Sequence, residues 1–222
     1  MATLGTRRVM DLEIELPPAG GWEGRLHLDS GAPPAAGDAV LTVGDLPLKC
    51  RVLANRGGLD APEYPAVVVA GGYGWRAPQP AALFRSSGAG GVRLSTVLLA
   101  LAAAAGETVT LPPELKLGPS YGWDAGTTGR AVLADLVSRG AIPLWRADTL
   151  TGSTMFTPWP TRPAADALGV VGDRALAFGR RYVLASSNVA AWLPGATVQG
   201  ARIERLIIRE RDSETTMEVR ES

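Results

Sequence analysis

The 222-residue chain carries 22 basic and 22 acidic side chains, so its net charge is zero and it has no polyanion-binding excess. Hydrophobic residues make up 46% and charged residues 20%, which excludes wholesale disorder and allows one large domain or two small ones. Its one cysteine, Cys50, and one histidine, His27, build neither an intramolecular disulfide nor a Cys/His zinc site, and a Ser-His-Asp or Cys-His mechanism would run through His27 alone.

The N-terminal stretch MATLGTRRVMDLEIEL has two arginines and no apolar h-region, so it does not read as a secretory signal. Met10, Leu12, Ile14 and Leu16 alternate with Asp11, Glu13 and Glu15, the period-2 signature of a half-buried strand. Pro17-Pro18 and Ala19-Gly20-Gly21 end it. Trp22, Gly24, Leu26 and Leu28 predict a second strand, closed by Asp29-Ser30-Gly31. Gly37-Asp38 opens residues 39–43, and Gly44-Asp45 turns them into 46–53, a hairpin with Leu46, Leu48, Cys50 and Val52 on one face. That shared face predicts a buried thiol. Residues 67–70 are continuously apolar, as in a strand buried on both sides. Short strands with close turn signals imply a barrel or sandwich.

The middle third changes period. Leu94, Val97, Leu98 and Leu101 sit at i, i+3, i+4 and i+7, predicting a helix that Gly106 ends with a left-handed cap. A second helix starts at the Thr127/Thr128 cap, buries Val132, Leu133, Leu136 and Val137, and stops at Gly140. Ile142-Pro143-Leu144-Trp145 and Thr154-Met155-Phe156-Thr157 flank residues 148–152 as a hairpin, with Pro143 at an edge or bulge. The longest apolar run, 97–105, is too short to span a bilayer, so no membrane-spanning segment is expected. The last third returns to β: 180–185, a Pro194-Gly195 turn, Thr197-Val198, then 201–211 turned by Asp212-Ser213-Glu214 into 215–220.

Several constellations invite a chemical reading. On a strand, His27 and Asp29 share a face, which allows a charge-paired imidazole; the same alternation also makes His27 a plain surface residue. Gly71-Gly72-Tyr73-Gly74-Trp75 follows a strand, but neither a helix nor Lys-Ser/Thr comes after it. Gly88-Ala89-Gly90-Gly91 precedes a helix, but follows a polar loop. Both read as turn glycines before nucleotide sites. Asp124, Asp148, Asp166 and Asp173 are placed in loops, where a carboxylate pair for glycoside hydrolysis competes with ordinary turn and cap roles. Trp22, Trp75, Trp123, Trp145, Trp159 and Trp192 suit either a carbohydrate-stacking platform or packing at barrel mouths and subunit contacts. Arg202, Arg205, Arg209 and Arg211, interleaved with Glu204, Glu210 and Asp212, form a balanced ladder suited to cross-strand pairing, not a nucleic-acid stripe.

The order of features resembles a known group. Gly37-Asp38-Ala39-Val40-Leu41-Thr42-Val43 leads into Leu48-Lys49-Cys50-Arg51-Val52, followed by Val67-Val68-Val69-Ala70-Gly71-Gly72 and by Arg93-Leu94-Ser95-Thr96-Val97-Leu98 in a helix ending Ala105-Gly106-Glu107. The helix 129–137 leads to Leu144-Trp145-Arg146-Ala147-Asp148, and Leu193-Pro194-Gly195-Ala196-Thr197-Val198-Gln199-Gly200 precedes Ile203-Glu204-Arg205-Leu206. In this order, from about residue 10 to 220, the chain resembles the baseplate or tail-tip hub proteins of tailed phages and contractile injection machines, the late control protein D and VgrG-like group.

The resemblance implies a β-rich α+β fold of two small tube-like β-barrel domains with a small α/β insertion. Residues 1–85 are the first barrel, 86–160 the insertion with two helices and a hairpin, and 161–222 the second barrel segment with the C-terminal hairpin. It implies a non-enzymatic, trimeric symmetry adaptor made in the host cytoplasm and placed at the tail tip or baseplate of the virion. Its partners are the tail tube or distal tail protein, the spike and the tape-measure protein; it implies no catalytic residue, cofactor or metal, and no direct nucleic-acid recognition. Two rivals are a carbohydrate-binding or carbohydrate-cleaving module using the tryptophans and loop carboxylates, and a standalone ligand-binding barrel.

Overall fold

Alternating side chains and tight glycine turns build the first sheet. The structure is a computed structural model, which describes residues 1–29, 32, 34–53, 66–87, 90–163, 170–176, 179–185, 188–198, 200–211 and 214–221. Strand β1 (Ala2–Leu4) and β2 (Arg7–Leu16) pair around Gly5, whose φ of 59° is the left-handed geometry of a tight turn. Next come β3 (Trp22–Leu28), β4 (Gly37–Val43), β5 (Leu46–Val52) and β6 (Ala66–Gly71). The pairing order is β1-β4-β5-β6-β3-β2 and back to β1, every pair antiparallel, so six strands close into a barrel.

Leu46, Leu48, Cys50 and Val52 are all buried, as their spacing predicts. Strand β2 departs from simple alternation once. Its register against β3 slips between Val9 and Asp11, so Val9, not Met10, is buried with Leu12, Ile14 and Leu16. The Ser30-Gly31 part of the turn expected after β3 lies outside the described residues.

The chain forms two compact units: Met1–Gly71 with Thr149–Thr151 and Trp159–Ser222, and Gly72–Asp148 with Gly152–Pro158. In the second, a 3-10 turn (Gly74–Arg76) precedes β7 (Ala82–Arg85), α1 (Leu94–Ala105), β8 (Ser120–Trp123), α2 (Gly129–Ser138), β9 (Arg146–Ala147) and β10 (Thr154–Met155). Gly106 ends α1 at φ 64°, its N–H donating to the carbonyls of Ala102 and Ala103. The Thr128 hydroxyl caps α2 by accepting the Ala131 N–H at 3.3 Å. No side chain adjoining α1 caps it. Instead Glu114 does so from a distance, accepting the Ser95 N–H at 3.3 Å and the Ser95 hydroxyl.

The helices bury Val97, Leu98, Leu101, Val132, Leu133 and Leu136 against Trp75, Trp145 and Phe156. The third hairpin differs from expectation at its first arm: Ile142 and Trp145 pack in this core, and pairing begins at Arg146, opposite Met155. Pro143, which lacks an N–H to donate, sits in the bend before it. Among the described residues α1 and α2 are the only α-helices, and no helix is long and apolar enough to cross a membrane.

The chain then adds β11 (Val170–Leu176), β12 (Gly179–Ala185), β13 (Thr197–Val198), β14 (Ala201–Arg211) and β15 (Glu214–Glu221) to the first unit. β14 pairs with β2 from Asp11 to Leu16, and the sheet runs on through β15 and β12 to β11. β13 flanks β14. Asp212-Ser213, the expected turn between β14 and β15, lies outside the described residues. A β-rich fold with a closed barrel, additional strands and two helices is the class that the sequence predicts.

Candidate functional site

His27 lies on β3 directly opposite Asp11, and its Nδ1 is 3.6 Å from Asp11 Oδ2 with both side chains about half exposed. The expected Asp29 partner is corrected to Asp11. Cross-strand neighbours sit about 5 Å apart, closer than residues two apart along one strand. An exposed pair of this kind contributes little. No cluster of three or more His, Cys, Asp or Glu side chains that would hold a metal occurs among the described residues.

Neither glycine cluster forms a phosphate cradle. The Gly74 N–H donates to Glu107 Oε1 at 2.6 Å, so a carboxylate already occupies the place a phosphate oxygen would take. Gly91, at φ 74°, presses against Leu117: a Cβ there would lie 2.3 Å from the Leu117 carbonyl oxygen. Gly88-Ala89 lie outside the described residues. The N-terminus of α1 is taken by Glu114, whose carboxyl the Ser95 hydroxyl holds below the usual carboxylate range.

Of the four loop aspartates, Asp124 is exposed in a turn, its carbonyl accepting the Thr127 N–H at 3.2 Å. Asp148 Oδ1 pairs with Arg146 Nη1 at 3.1 Å, and the buried Arg146 also donates from Nε to the Thr157 carbonyl at 3.0 Å. That carboxylate anchors the β9–β10 hairpin. Asp166 lies outside the described residues. Asp173 is corrected from loop to strand: it sits in β11 opposite Tyr182, just beyond a register shift between Val170 and Gly172.

The tryptophans form no open stacking platform. Trp22, Trp75, Trp145, Trp159 and Trp192 are buried, and Trp123 is partly buried with its Nε1 donating to the Pro80 carbonyl at 2.8 Å. Trp159 Nε1 donates to the Pro17 carbonyl at 3.1 Å, while its own carbonyl accepts from Arg202 Nη2 at 2.8 Å. The rings of Trp75, Trp123 and Trp159 each supply buried area plus one directed indole bond, the usual use of indole in a core. Cys50 is buried, and desolvation pushes its thiol up to about 11, so it is not a nucleophile near neutral pH.

What the fold does assemble is the arginine ladder. Register puts Arg209 opposite Glu13, and Arg209 Nε meets Glu13 Oε2 at 2.9 Å. Arg205 Nη1 meets Glu15 Oε1 at 3.1 Å. Arg209 Nη1 and Arg220 Nη2 each lie 3.2 Å from opposite oxygens of Glu218, which is only 4% exposed. Alternation places Glu218 on the face opposite Met217 and Val219, on a strand flanked by β14 and β12, where its burial is accompanied by the ion pairs to Arg209 and Arg220. Beside the ladder, Glu13, Glu15, Glu23, Gly24 and Arg25 line an open groove of about 400 Å³. Its floor is charged and its acids Glu13 and Glu15 are engaged by arginines, unlike an apolar ligand cavity.

The chain combines a closed antiparallel barrel continued by a β-hairpin, buried tryptophans and a salt-bridged strand face. Its fold is that of phage tail proteins. The 43 kDa tail protein of prophage MuSo2 from Shewanella oneidensis superposes with a TM-score of 0.72 at 10% identity, covering 100% of this chain and 97% of that chain. The tail protein from Neisseria meningitidis gives 0.65 at 12% identity over 99% of this chain and 94% of that chain. The E. coli c3393 protein, a type VI secretion system component described as structurally similar to the T4 bacteriophage tail proteins gp27 and gp5, gives 0.67 at 11% identity over 100% of this chain and 77% of that chain. No protein-family model and no curated protein matches the sequence.

Proposed function

We propose that this protein is a structural hub of a phage-type tail, sitting at the tail tip or baseplate and joining the tail tube to the central spike. In this role it acts as a homotrimeric symmetry adaptor, with the tube or distal tail protein, the spike and the tape-measure protein as partners, and performs no catalysis. The observation that carries the proposal is the superposition of the whole chain on a tail protein. Buried tryptophans, an unreactive thiol and carboxylates committed to ion pairs support a geometric role over a chemical one.

Mass in solution and position in the particle test it together. The expected species is a trimer of 23.1 kDa chains, formed alone or on adding the tail-tube and spike proteins. Electron microscopy of the particle is expected to show that trimer at the end of the tube. A strict monomer absent from purified tails would overturn the proposal.

A further inference from the structure

Strand β2 changes partner along one edge. β1 pairs with it at Arg7 and Arg8, and β14 takes over from Asp11 to Leu16; neither described ladder reaches Val9 or Met10. At this branch stands Glu210 of β14, whose side chain is 1% exposed. Its Oε1 accepts the Ala2 N–H at 2.6 Å, and its Oε2 accepts the Thr215 hydroxyl at 3.2 Å. The Met1 amino group lies 3.6 Å from the same Oε1, but the Ala2 amide is there whatever precedes it. A buried carboxylate therefore receives a strand N–H where the ladder has no carbonyl to offer.

The ladders that hold β1 are short, two residues to β2 and three to β4, with the Gly5 N–H donating to the Val40 carbonyl at 2.9 Å beyond its end. It spans Ala2–Leu4, matches β4 only at Val43, Thr42 and Leu41, and seats Ala2 and Leu4 as its buried side chains. By contrast, β4 and β5 stay in register from Gly37–Val52 to Val43–Leu46. Short ladders open at lower free energy than the core they flank.

We propose that β1 is a detachable strap of the barrel, latched by the Glu210 carboxylate, and that its release opens a slot between β2 and β4. The open slot presents two strand edges with unpaired N–H and C=O groups, over the floor vacated by Ala2 and Leu4. Because the latch belongs to β14 and is braced by Thr215 of β15, the seam and the β14–β15 hairpin are linked: whatever holds the hairpin holds the strap.

Hydrogen exchange on the full chain, read peptide by peptide, tests the latch. In the unaltered protein, peptides covering β1 and the β1-facing part of β4 are expected to exchange faster than those covering β3. Glu210→Met removes the acceptor while keeping an apolar side chain of similar length, and is expected to speed β1 exchange about tenfold, the worth of one charge-assisted hydrogen bond, with β3 unchanged. Glu210→Gln retains an amide oxygen as acceptor and is expected to show a smaller, equally local effect; it serves should the Met variant fail to fold. Equal acceleration of β1 and β3 would make Glu210 a general stability residue. No acceleration in either peptide would remove the latch altogether.

Discussion

The indole Nε1 of Trp75 donates to the Thr154 hydroxyl at 2.7 Å, and both residues are fully buried. Each partner alone becomes a liability if the other is lost, because a buried polar atom without a bond costs about 1–3 kcal/mol. Thr154→Val orphans the indole N–H and is expected to lower stability by about 2 kcal/mol in urea melts. Trp75→Phe also forfeits ring volume and should cost more, about 3 kcal/mol. The combined variant is expected to fall short of the sum by about 1 kcal/mol, since the second change removes an already unpaired group. Strict additivity would mean that the bond contributes nothing.

Glycine substitutions in the first unit separate steric from conformational cost. A Cβ built on Gly71 would lie 2.1 Å from Trp22 Nε1, and that indole is itself buried. Gly5 sits at φ 59° with nothing near its missing side chain. Gly71→Ala must displace Trp22 and is expected to destabilise by about 3 kcal/mol. Gly5→Ala meets only the left-handed penalty of about 1 kcal/mol. Thermal midpoints of the two variants give the comparison; a Gly5 variant worse than the Gly71 variant would contradict it.

Elements set by local pattern were legible in the sequence. Both helices and their ends follow from apolar spacing with Thr128 and Gly106, and the hairpin of β4 and β5 follows from alternation around Gly44-Asp45. Elements set by distant partners were not. Ala2–Leu4 is too short to carry a periodic signal, and its pairing with β4 depends on a strand more than thirty residues away. β7 and β8 join residues 82–85 to 120–123 across a whole helix. Asp173 reads as a loop residue because β11 is set by its register with β12, which includes an irregularity between Val170 and Gly172. Of the site, the arginine ladder could be foreseen as cross-strand pairing. The burial of Glu218 depends on β15 lying between β14 and β12, with Arg209 and Arg220 paired to its carboxylate, which sequence alternation does not encode.

Position on the ladder should decide what each arginine contributes. Among the described residues Arg205 pairs with Glu15, and both are well exposed, so Arg205→Met is expected to cost less than about 1 kcal/mol and to matter even less in high salt. Arg209 bridges exposed Glu13 to buried Glu218. Arg209→Met removes one of the cations that pair with buried Glu218 and is expected to cost about 2 kcal/mol. Urea midpoints at low and high ionic strength distinguish the two. Equal losses at both arginines would show that the burial of Glu218 carries no penalty.

Burial of the thiol predicts an alkaline limit to stability. Desolvation raises Cys50 from its ordinary 9.0 to about 11 in the folded chain, outweighing the opposing hydrogen bond from the Leu41 backbone. The folded state thus keeps a proton that the unfolded chain releases. The stabilisation is complete below pH 9 and lost as pH rises from 9 to 11. At about 1.4 kcal/mol per unit, the full window is worth about 3 kcal/mol. Cys50→Ala removes the ionisable group at a fixed packing cost of about 1 kcal/mol, so its stability should decline less steeply above pH 9. Burial also raises Tyr121, with the Asp135 hydrogen bond adding to it, but that phenol is common to both proteins and cancels in the comparison. Urea midpoints from pH 8 to 10.5 are expected to converge and then cross in favour of the alanine variant. A gap that stays constant across that range would mean that the Cys50 thiol ionises as readily in the folded barrel as in the unfolded chain.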